Sequence, residues 1–519
     1  MGEQVLSVII NEIKAAEYYS VSIDSTPDAS KIDRISVIIR YLPQPEGAAP
    51  SLTAAPKERF LKFLGTNGHS ARQLYESLSS FLAQAGIEIK KCRGQSYDNA
   101  SNMAGRYEGV QAMLKRDCSV AHFIPCFGHS LNLAGNESAN CVPEATKFFD
   151  LLQRIYTLFS ASTHRWKILS ESLLTPTVKS LSQTRWSARA DAAEAVRLGY
   201  DKISEVLVAI TNNLDEKSDT RLETKGIVKK MMTLEFGILT DFWATLLKRY
   251  NSVNMALQSS RLDLNNAVAL LESLCEYVTT LREQFEIFEE NGKALSGCTE
   301  YKEDSSRKRV RSVKLKRFEG ESADANLSVS PRDKFRTGVF LAIIDSMTGA
   351  LKKRLDAYTV VRNLFGFLHE ILDLTPESIR DSSNRLVEAY PEDLERDLAD
   401  ELVQFCSFAR SSSGLKQGDE KVSFELRLYR IASAPGVREA FPNVNIVLRI
   451  YLSLLVTNCS GERSFSVLAR VKNELRTTMT DQRLSYLSLM AIENDVVRNL
   501  DFNDVIDIFS KSKARKAVL

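Results

Sequence analysis

The stretch 18–42, YYSVSIDSTPDASKIDRISVIIRYL, indicates two β-strands joined by a turn. Its flanks, 18–23 and 35–42, are rich in β-branched and aromatic residues, a composition typical of strands. The polar segment between them contains Pro27, which is a turn signal. We therefore expect the folded part of the chain to start with two strands of one sheet.

The following residues continue as alternating strands and helices. A third apolar segment, 60–64, precedes a helical pattern at 71–85 that ends before Gly86, a residue common at helix ends. A fourth strand, another helix and a short fifth strand are predicted at 87–96, 105–116 and 121–125. The order of three strands, helix, strand, helix, strand predicts an α/β domain with a mixed sheet.

The character of the sequence changes at about Val142, where strand signals largely vanish. Long helical periods follow at about 145–160, 189–213, 227–251, 256–291, 335–373, 391–410 and 442–498. The segment 293–333, rich in Ser, Gly, Lys, Arg and Glu, predicts a flexible linker. A small α/β part is thus expected to carry a much larger helical body.

The composition is that of a soluble, core-forming protein, with 44% of the 519 residues hydrophobic and 26% charged. This length exceeds what one hydrophobic core usually supports, so we expect two or more domains. No run of about 18 apolar residues occurs, so no membrane partner is expected. The eight cysteines include no CxxC pair, which predicts reduced thiols. A net charge of +2 neither supports nor excludes nucleic acid.

Two acidic residues follow predicted strands, Asp24 after the first and Asp98 after the fourth. The ends of neighbouring strands in an open α/β sheet converge on one site, so the two carboxylates are candidates for sharing divalent metal ions. Such ions, roughly 3.5–4 Å apart, stabilise the attacking and leaving oxygens in phosphoryl transfer. The alternative is structural, with Asp24 in a turn and Asp98 capping a helix.

Five segments, taken together and in order, resemble the hAT superfamily of DNA transposases, specifically its zinc-finger MYM-type and TTF-type transposase-derived branch. They are SIDSTPDASKIDRISVIIRYL (22–42), GQSYDNASNMAGRYEGVQAML (94–114), IPCFGHSLNLA (124–134), SQTRWSARADA (182–192) and NCSGERSFSVLARVKNELRTTMTDQRLSYLSLMAIE (458–493). The resemblance implies a ribonuclease-H-like catalytic domain, an α/β fold interrupted by a large all-α insertion. The domain would comprise 1–141 and 441–519, with the hAT dimerisation region in the second part. The insertion would be 142–440 and include the linker.

The resemblance implies a catalytic triad of Asp24, Asp98 and Glu462 that binds Mg²⁺ or Mn²⁺ if the protein is active. Glu462 lies in the GERSFS motif, and the helical insertion separates it in the chain from both aspartates. A structural interpretation of Glu462 is that its carboxylate, in the first turn of a helix, complements the helix dipole. The two interpretations of Glu462 are compatible.

Cys126 and His129 match the family's CxxH motif. No second pair at zinc-finger spacing accompanies them, so no structural zinc is expected. His129 is expected either in the active site, contacting the scissile phosphate or orienting a water, or as a buried and hydrogen-bonded side chain. Cys126 is expected to be a packed thiol.

Arg185 and Trp186 match the family's RW motif, and the resemblance assigns them to DNA. An indole stacks on an unpaired base, and an arginine pairs with phosphate. The alternative is a core tryptophan that anchors the insertion. Trp166, in the similar sequence HRW, lacks the family context and is assigned to packing.

The C-terminal segment carries an apolar set on helical patterns, expected to bury against the catalytic domain, a second subunit or both: Leu468, Val471, Leu475, Leu484, Leu487, Leu489 and Ile492. The segment 307–317, RKRVRSVKLKR, predicts a nuclear localisation signal or a phosphate-binding patch, with a solvated linker as the alternative. The basic tail 511–516, KSKARK, is expected to be solvated or to touch DNA.

Full-length family members carry an N-terminal zinc-binding recognition domain, whereas here the first strand is expected within about 20 residues of Met1. We therefore expect a fragment, a shortened domesticated copy, or a protein that relies on a partner for targeting. The first hypothesis is a transposase-derived nuclear protein that dimerises and binds DNA, with dormant or uncertain catalysis. The second is an active metal-dependent nuclease or strand transferase, and the third is a helical interaction scaffold. P-loop, dinucleotide-binding and hydrolase-elbow motifs are absent from the sequence.

Overall fold

The computed structural model describes residues 1–44, 54–65, 68, 70–98, 100–172, 178–182, 186–259, 262–302, 330–412 and 422–511. The chain divides into two compact units. The first unit comprises Met1–Ser130, Ala256–Ala269 and Leu355–Leu519, and the second comprises Leu131–Met255 and Leu270–Arg354. This division places 355–440 with the first unit, whereas the sequence-based boundaries count them with the insertion. Those domain boundaries stay a prediction.

A five-stranded sheet lies at the centre of the first unit, with strands β1 (Tyr19–Pro27), β2 (Asp33–Tyr41), β3 (Lys57–Gly65), β4 (Cys92–Ser96) and β5 (His122–Phe123). The strand order is β3-β2-β1-β4-β5. β1, β2 and β3 are antiparallel neighbours, whereas β4 is parallel to β1 and β5 is parallel to β4. The mixed sheet predicted from the sequence is confirmed.

Two of the predicted elements are shorter than expected. The fourth strand starts only at Cys92, because Ile89–Lys91 is a 3-10 turn that the Lys91 amide closes on the carbonyl of Glu88. The predicted helix at 105–116 is interrupted: short helices run over Ser101–Ala104 and Val110–Asp117, with a loop between them. Sequence patterns locate such elements but define their ends only to within a few residues.

Helices surround the sheet. Those wholly within the first unit are Gly2–Ala16, Ala71–Ala85, Ser101–Ala104, Val110–Asp117, Thr359–Phe365, Pro376–Ala389, Leu398–Ser411, Phe424–Ala432, Pro442–Ser453, Cys459–Val471, Asp481–Ile492, Asn494–Asn499 and Asn503–Ser510. The helix predicted at 71–85 is confirmed, with Gly86 in the left-handed conformation at φ 65° and the Ser70 hydroxyl accepting from the Gln73 amide. The first residues, Gly2–Ala16, form a helix that the sequence analysis did not predict. Its signal was Val5, Ile9 and Ile13, which recur at helical spacing and are buried in the core.

The C-terminal apolar set contributes to the core around the sheet. Leu468, Leu484 and Leu489 belong to the same buried cluster as the sheet residues. Leu475 differs from the prediction, because it lies in a 3-10 turn and is 95% exposed. The helical run predicted at 442–498 is also broken, most consequentially by the buried non-helical segment 454–458.

The described residues of the second unit are helical. Helices wholly within it are Pro143–Ser160, Thr163–Ser172, Trp186–Leu198, Tyr200–Asn212, Ser218–Met231, Phe285–Ser296 and Pro331–Phe335, with a π-helical turn at Arg336–Leu341. Four helices contain residues of both units: Phe127–Ala139, Leu234–Leu257, Leu264–Thr280 and Ala342–Asp356. The run predicted at 189–213 is broken at Gly199, a residue of low helix propensity. Of the described helices, none has the length and apolar character needed to cross a membrane.

The predicted linker at 293–333 is structured at both ends. The helix Phe285–Ser296 extends into it, and Glu289 of that helix accepts hydrogen bonds from Tyr301 at 2.5 Å and from Arg332 at 2.8 Å. The basic stretch 307–317, most of the basic tail (512–516) and Arg185 lie outside the described residues. Their predicted roles stay predictions.

Candidate carboxylate site

Asp24 and Asp98 lie at the same end of the sheet. The parallel register of β1 and β4 pairs Ser22 with Ser96. Each aspartate is two residues beyond that pair, so both follow equivalent positions on adjacent parallel strands. The Asp24 carboxylate accepts the Ser25 amide at 2.8 Å, and the Asp98 carboxylate accepts the Ala100 amide at 3.2 Å. Asp24 does not lie in a turn as the structural interpretation expected, because β1 continues through it to Pro27 and pairs it with Ser36 of β2. The Asp98 contact is a local one to the residue before the helix Ser101–Ala104.

Asn458 ties the Glu462 helix, Cys459–Val471, to β1. Its side-chain oxygen accepts the Ser22 hydroxyl at 2.5 Å, and its side-chain nitrogen donates to the Ile23 carbonyl at 3.3 Å. Its own carbonyl accepts the Glu462 amide at 3.1 Å, which places Glu462 in the first turn of the helix. Because Asn458 ends the non-helical segment 454–458, the break in the predicted helical run places the first turn of the Glu462 helix next to β1.

Gly461 permits the close approach of this helix to the sheet. A Cβ atom there would lie 2.6 Å from the side-chain oxygen of Asn458 and 3.2 Å from the Ser36 hydroxyl. Ser36 is the β2 partner of Asp24 in the antiparallel register. The glycine of the GERSFS motif thus has a steric reason: a larger residue would displace Glu462 from the end of the sheet that carries Asp24.

The three carboxylates form one electrostatic cluster. Burial raises the pKa of Asp24, and the charges of Glu462 and Asp98 raise it further, to about 7, despite the hydrogen bond from the Ser25 amide. Asp24 and Asp98 are half-buried, whereas Glu462 is exposed. The structure therefore brings together the three acids that the resemblance implies, and their catalytic role stays a prediction.

The cluster fits a hard divalent cation in the type of its ligands, since Mg²⁺ prefers carboxylate oxygens. A cation would also relieve the repulsion that raises the pKa of Asp24. Among the described residues, however, no three acidic, histidine or cysteine side chains are close enough to act together as metal ligands. The raised pKa and the lack of a ligand group are compatible, because charges interact over longer distances than the length of a metal–ligand bond. The three carboxylates act on one another electrostatically, but they are not close enough together to be ligands of one cation.

The CxxH pair lies beside the same helix start. The Cys126 thiol accepts backbone amides of Asn458, at 3.1 Å, and of His129, in the first turn of Phe127–Ala139. Burial raises the pKa of this thiol, and the neighbouring Cys459 and Glu462 raise it further. Cys126 is thus a packed, protonated thiol that caps a helix. His129 is half-buried in that first turn. Its two predicted roles, an active-site contact or a buried and hydrogen-bonded side chain, stay predictions.

Trp186, described within the second unit, is inside a core. It is 1% exposed, and its ring contacts Phe149 at 6.3 Å and Tyr250 at 5.6 Å. A Cβ at Gly135 would lie 2.5 Å from the indole, so the helix carrying Gly135 leaves room for it. The Arg189 guanidinium lies 4.7 Å from the indole ring. This is the geometry of the structural alternative, and base stacking by Trp186 would require the indole to leave its pocket.

A buried ion network, which the sequence analysis missed, joins the turn after β1 to the C-terminal segment. Asp28 accepts from Arg34 and from Lys472, each at 2.8 Å, and Arg34 also pairs with Asp481 at 2.7 Å. Burial alone would raise the pKa of Asp28, but these hydrogen bonds lower it to about 2. The only available sequence signal was that all four charges lie within the family-like segments 22–42 and 458–493.

Two grooves flank the Glu462 helix. One, of about 720 Å³, is lined by apolar residues of the helix such as Phe465 and Leu468. The other, of about 520 Å³, is lined by Arg463, Ser466 and Arg470 on the helix. Its lining also includes Glu58, Glu493 and Asp495, whose ion pairs are with Arg40 and Arg59. Arg463 donates to the Gln258 carbonyl at 3.2 Å, and neither arginine forms an ion pair with a carboxylate of the described chain. The second groove therefore offers two guanidinium groups on the helix that carries Glu462, one of them on the next residue, Arg463.

Comparison with known families identifies two segments. Residues 1–109 match the family model described as "ZMYM1/FAM200, RNase-like domain". Residues 436–496 match the model of the "hAT family C-terminal dimerisation region". The first match covers β1 to β4 with Asp24 and Asp98, and the second covers Asn458 and Glu462.

Two curated relatives are similar to nearly the whole chain. Each is named "52 kDa repressor of the inhibitor of the protein kinase". The protein of Mus musculus is 20% identical over 540 residues and that of Homo sapiens 21% over 541, in both cases over 98% of this chain. The chain spans 66% of each relative's length. The chain therefore carries an RNase-like domain and the hAT C-terminal dimerisation region, and the resemblance to hAT-family transposases is confirmed.

Proposed function

We propose that this chain is a transposase-derived nuclear protein that self-associates, binds DNA and keeps its transposase chemistry dormant. The observation that carries the proposal is that the carboxylates of Glu462 and Asp98 both raise the pKa of Asp24. Acids that far apart in the sequence share one end of the sheet, as expected of a transposase catalytic core. In this proposal the helical second unit corresponds to the family's insertion.

Dormancy is supported by the arrangement of the acid cluster. Two-metal catalysis needs carboxylates that are held close enough together to bind the same ions. The cluster thus has the residues of a catalytic centre without a preassembled ligand shell among the described residues.

DNA binding is supported by Arg463 and Arg470. Residues seven apart on a helix lie on one face, about 10 Å apart along the axis. Their guanidinium groups hydrogen-bond to uncharged oxygens, so they are available to phosphates. A strand held there would run alongside the helix that carries Glu462.

Self-association is supported by the match of residues 436–496 to the hAT dimerisation region. A regulatory role is supported by the relatives, which are named as repressors. A protein that binds DNA as a dimer without cutting it can act by occupying a site. Self-association would bring two copies of the groove that Arg463 and Arg470 line to one duplex.

The test is to measure mass and DNA binding on the same purified chain. We expect light scattering to give twice the mass of the monomer or more, and a fluorescent duplex DNA to bind. The double variant Arg463→Gln and Arg470→Gln should bind more weakly and keep its mass. Asp381→Asn, at an exposed carboxylate of another helix, is the control. A monomer that does not bind duplex DNA would overturn the proposal.

A second candidate function is metal-dependent DNA cleavage or strand transfer. It is favoured by the unrelieved repulsion at Asp24, which a cation would remove. Asp24, Asp98 and Glu462 would hold Mg²⁺ or Mn²⁺, which stabilises the attacking and leaving oxygens of a phosphodiester. Asn458 would keep Glu462 in place, and His129 would contact a phosphate or orient a water.

This candidate predicts nicking of DNA in the presence of Mg²⁺ or Mn²⁺ and no nicking by Asp24→Asn. Supercoiled plasmid is a sensitive probe because one cut relaxes it. If the wild-type protein binds the plasmid and leaves it supercoiled with either ion, the first candidate stands and this one falls.

A further inference from the structure

The loop Gly105–Gly109, directly after the segment that carries Asp98, presents Tyr107 to solvent. Tyr107 is 76% exposed, and the neighbouring Arg106 and Glu108 are exposed too. Single exposed aromatic residues are common on protein surfaces and need no explanation by themselves. The construction of the loop beneath Tyr107 distinguishes it.

The loop is closed from inside by its backbone. The Gly109 amide donates to the Gly105 carbonyl at 3.0 Å. A Cβ on Gly109 would lie 2.5 Å from the Gly105 nitrogen, so this closure requires glycine. From the following helix, Gln111 donates to the Ala104 carbonyl at 3.1 Å, and Arg116 donates to the Tyr107 carbonyl at 2.7 Å. The tip is thus held in one conformation although its side chains bury little surface.

The loop is also fixed to the strand that leads to Asp98. Gln95, in β4, donates to the Gln111 carbonyl at 3.1 Å and to the Ala121 carbonyl at 3.0 Å. Gln95 is three residues before Asp98 in the chain. Tyr107 therefore has a defined position relative to the end of β4, which it would lack on a free loop.

The surface around the ring is positive. The Arg106 guanidinium lies 5.9 Å from the centre of the Tyr107 ring. Lys115 and Arg116 are exposed on the next helix, and in the described part of the chain these three cations form no ion pair. Glu108 at the tip and Asp117 at the end of that helix are the opposing charges, which leaves an excess of one positive charge in this stretch. Arg106 and Arg116 are the cations that contact Tyr107 itself.

We infer that Tyr107 is a stacking platform for an unpaired base of DNA, with the adjacent phosphates held by Arg106, Lys115 and Arg116. This inference rests on the proposed DNA-binding function and adds the class of DNA: a strand with an unpaired nucleotide. An aromatic ring flanked by cations suits this ligand, because every base has a flat face to stack and every nucleotide has a phosphate. A fully paired duplex offers no free base face to the ring.

The experiment compares a duplex DNA with the same duplex extended by a single-stranded tail, using the full chain. The wild type should bind the tailed DNA more tightly. Tyr107→Ala should weaken binding to tailed DNA by roughly 5- to 150-fold and leave binding to the plain duplex unchanged. Tyr107→Trp should restore the preference, and its added indole fluorescence should be quenched on binding. Phe408→Ala, at an exposed aromatic residue of the helix Leu398–Ser411, is the matched control.

The outcomes separate this inference from the proposed function. If the wild type binds both DNAs equally and Tyr107→Ala does not change either affinity, the stacking platform is refuted while DNA binding stands. If Tyr107→Ala weakens both DNAs alike, Tyr107 supports the surface in general and the inference is also refuted. If the wild type binds neither DNA, both the inference and the proposed function fail.

Discussion

Asp24→Asn is predicted to stabilise the first unit, increasingly so as pH rises. In the folded protein the pKa of Asp24 is raised from 3.8 to about 7. Between these values the folded state keeps a proton that the unfolded chain has released, so stability falls as pH increases. Asparagine cannot ionise, so the variant escapes this loss. The effect of the pKa difference is nearly complete at about pH 8, one pH unit above the folded pKa.

The size of the effect follows from the pKa difference. Each pKa unit corresponds to 1.36 kcal/mol, so the upper limit above pH 7 is about 4 kcal/mol. Between about pH 5 and about pH 8 the advantage of the variant should grow by up to roughly 3 kcal/mol. Asp24 is half-buried, and solvent screening makes a smaller gain, of about 1–2 kcal/mol, the working expectation.

Hydrogen exchange of β1 peptides, measured by mass spectrometry, is the suitable assay because it reports local opening of the first unit. Tryptophan fluorescence would not do so, because Trp166, Trp186 and Trp243 all lie in the second unit. The protection of the variant relative to the wild type should rise from about pH 5 to about pH 8. Asp381→Asn should give a ratio near one throughout. A constant ratio for Asp24→Asn would refute the raised pKa of Asp24 in the folded protein.

Three further substitutions test how the site is supported. Asn458→Ala removes the hydrogen bonds with Ser22 and Ile23 and should cost about 2–4 kcal/mol, seen as faster hydrogen exchange in β1; unchanged exchange would contradict its bridging role. Lys472→Met leaves Asp28 short of one cation and should cost about 3–5 kcal/mol in thermal unfolding, whereas an unchanged midpoint would show that the network adds no stability. Trp186→Ala should cost about 3–5 kcal/mol in denaturant unfolding followed by circular dichroism, and clearly more than Trp186→Phe; equal small losses would argue against a core role.

The sheet could be predicted from the sequence because its strands carry local signals. The β-branched runs around 18–23 and 35–42 became β1 and β2, and Gly86 marked the end of a helix. The parallel pairing of β1 with β4 follows from an alternating order of elements, and it puts Asp24 beside Asp98. These features depend on neighbours in the chain or on general rules of topology.

The rest of the site depends on contacts that leave no periodic pattern. Nothing in the local sequence shows that 454–458 is non-helical, or that Asn458 bonds to β1 across the chain. The resemblance identified Glu462 as a site residue. The structure shows that the hydrogen bonds of Asn458 hold the start of its helix against β1. Burial of Trp186 could not be predicted either, since the same RW motif fits a core residue and a DNA contact.

The most direct test of the proposed function is the affinity of the purified chain for duplex DNA, measured over a range of salt concentrations. Phosphate contacts release counterions, so the logarithm of the affinity should fall linearly with the logarithm of salt concentration. We predict such a slope, reduced by about one to two in the variant that lacks Arg463 and Arg470, since the slope is about 0.9 per phosphate contact. An affinity that is undetectable at low salt, or that does not depend on salt, would contradict the account.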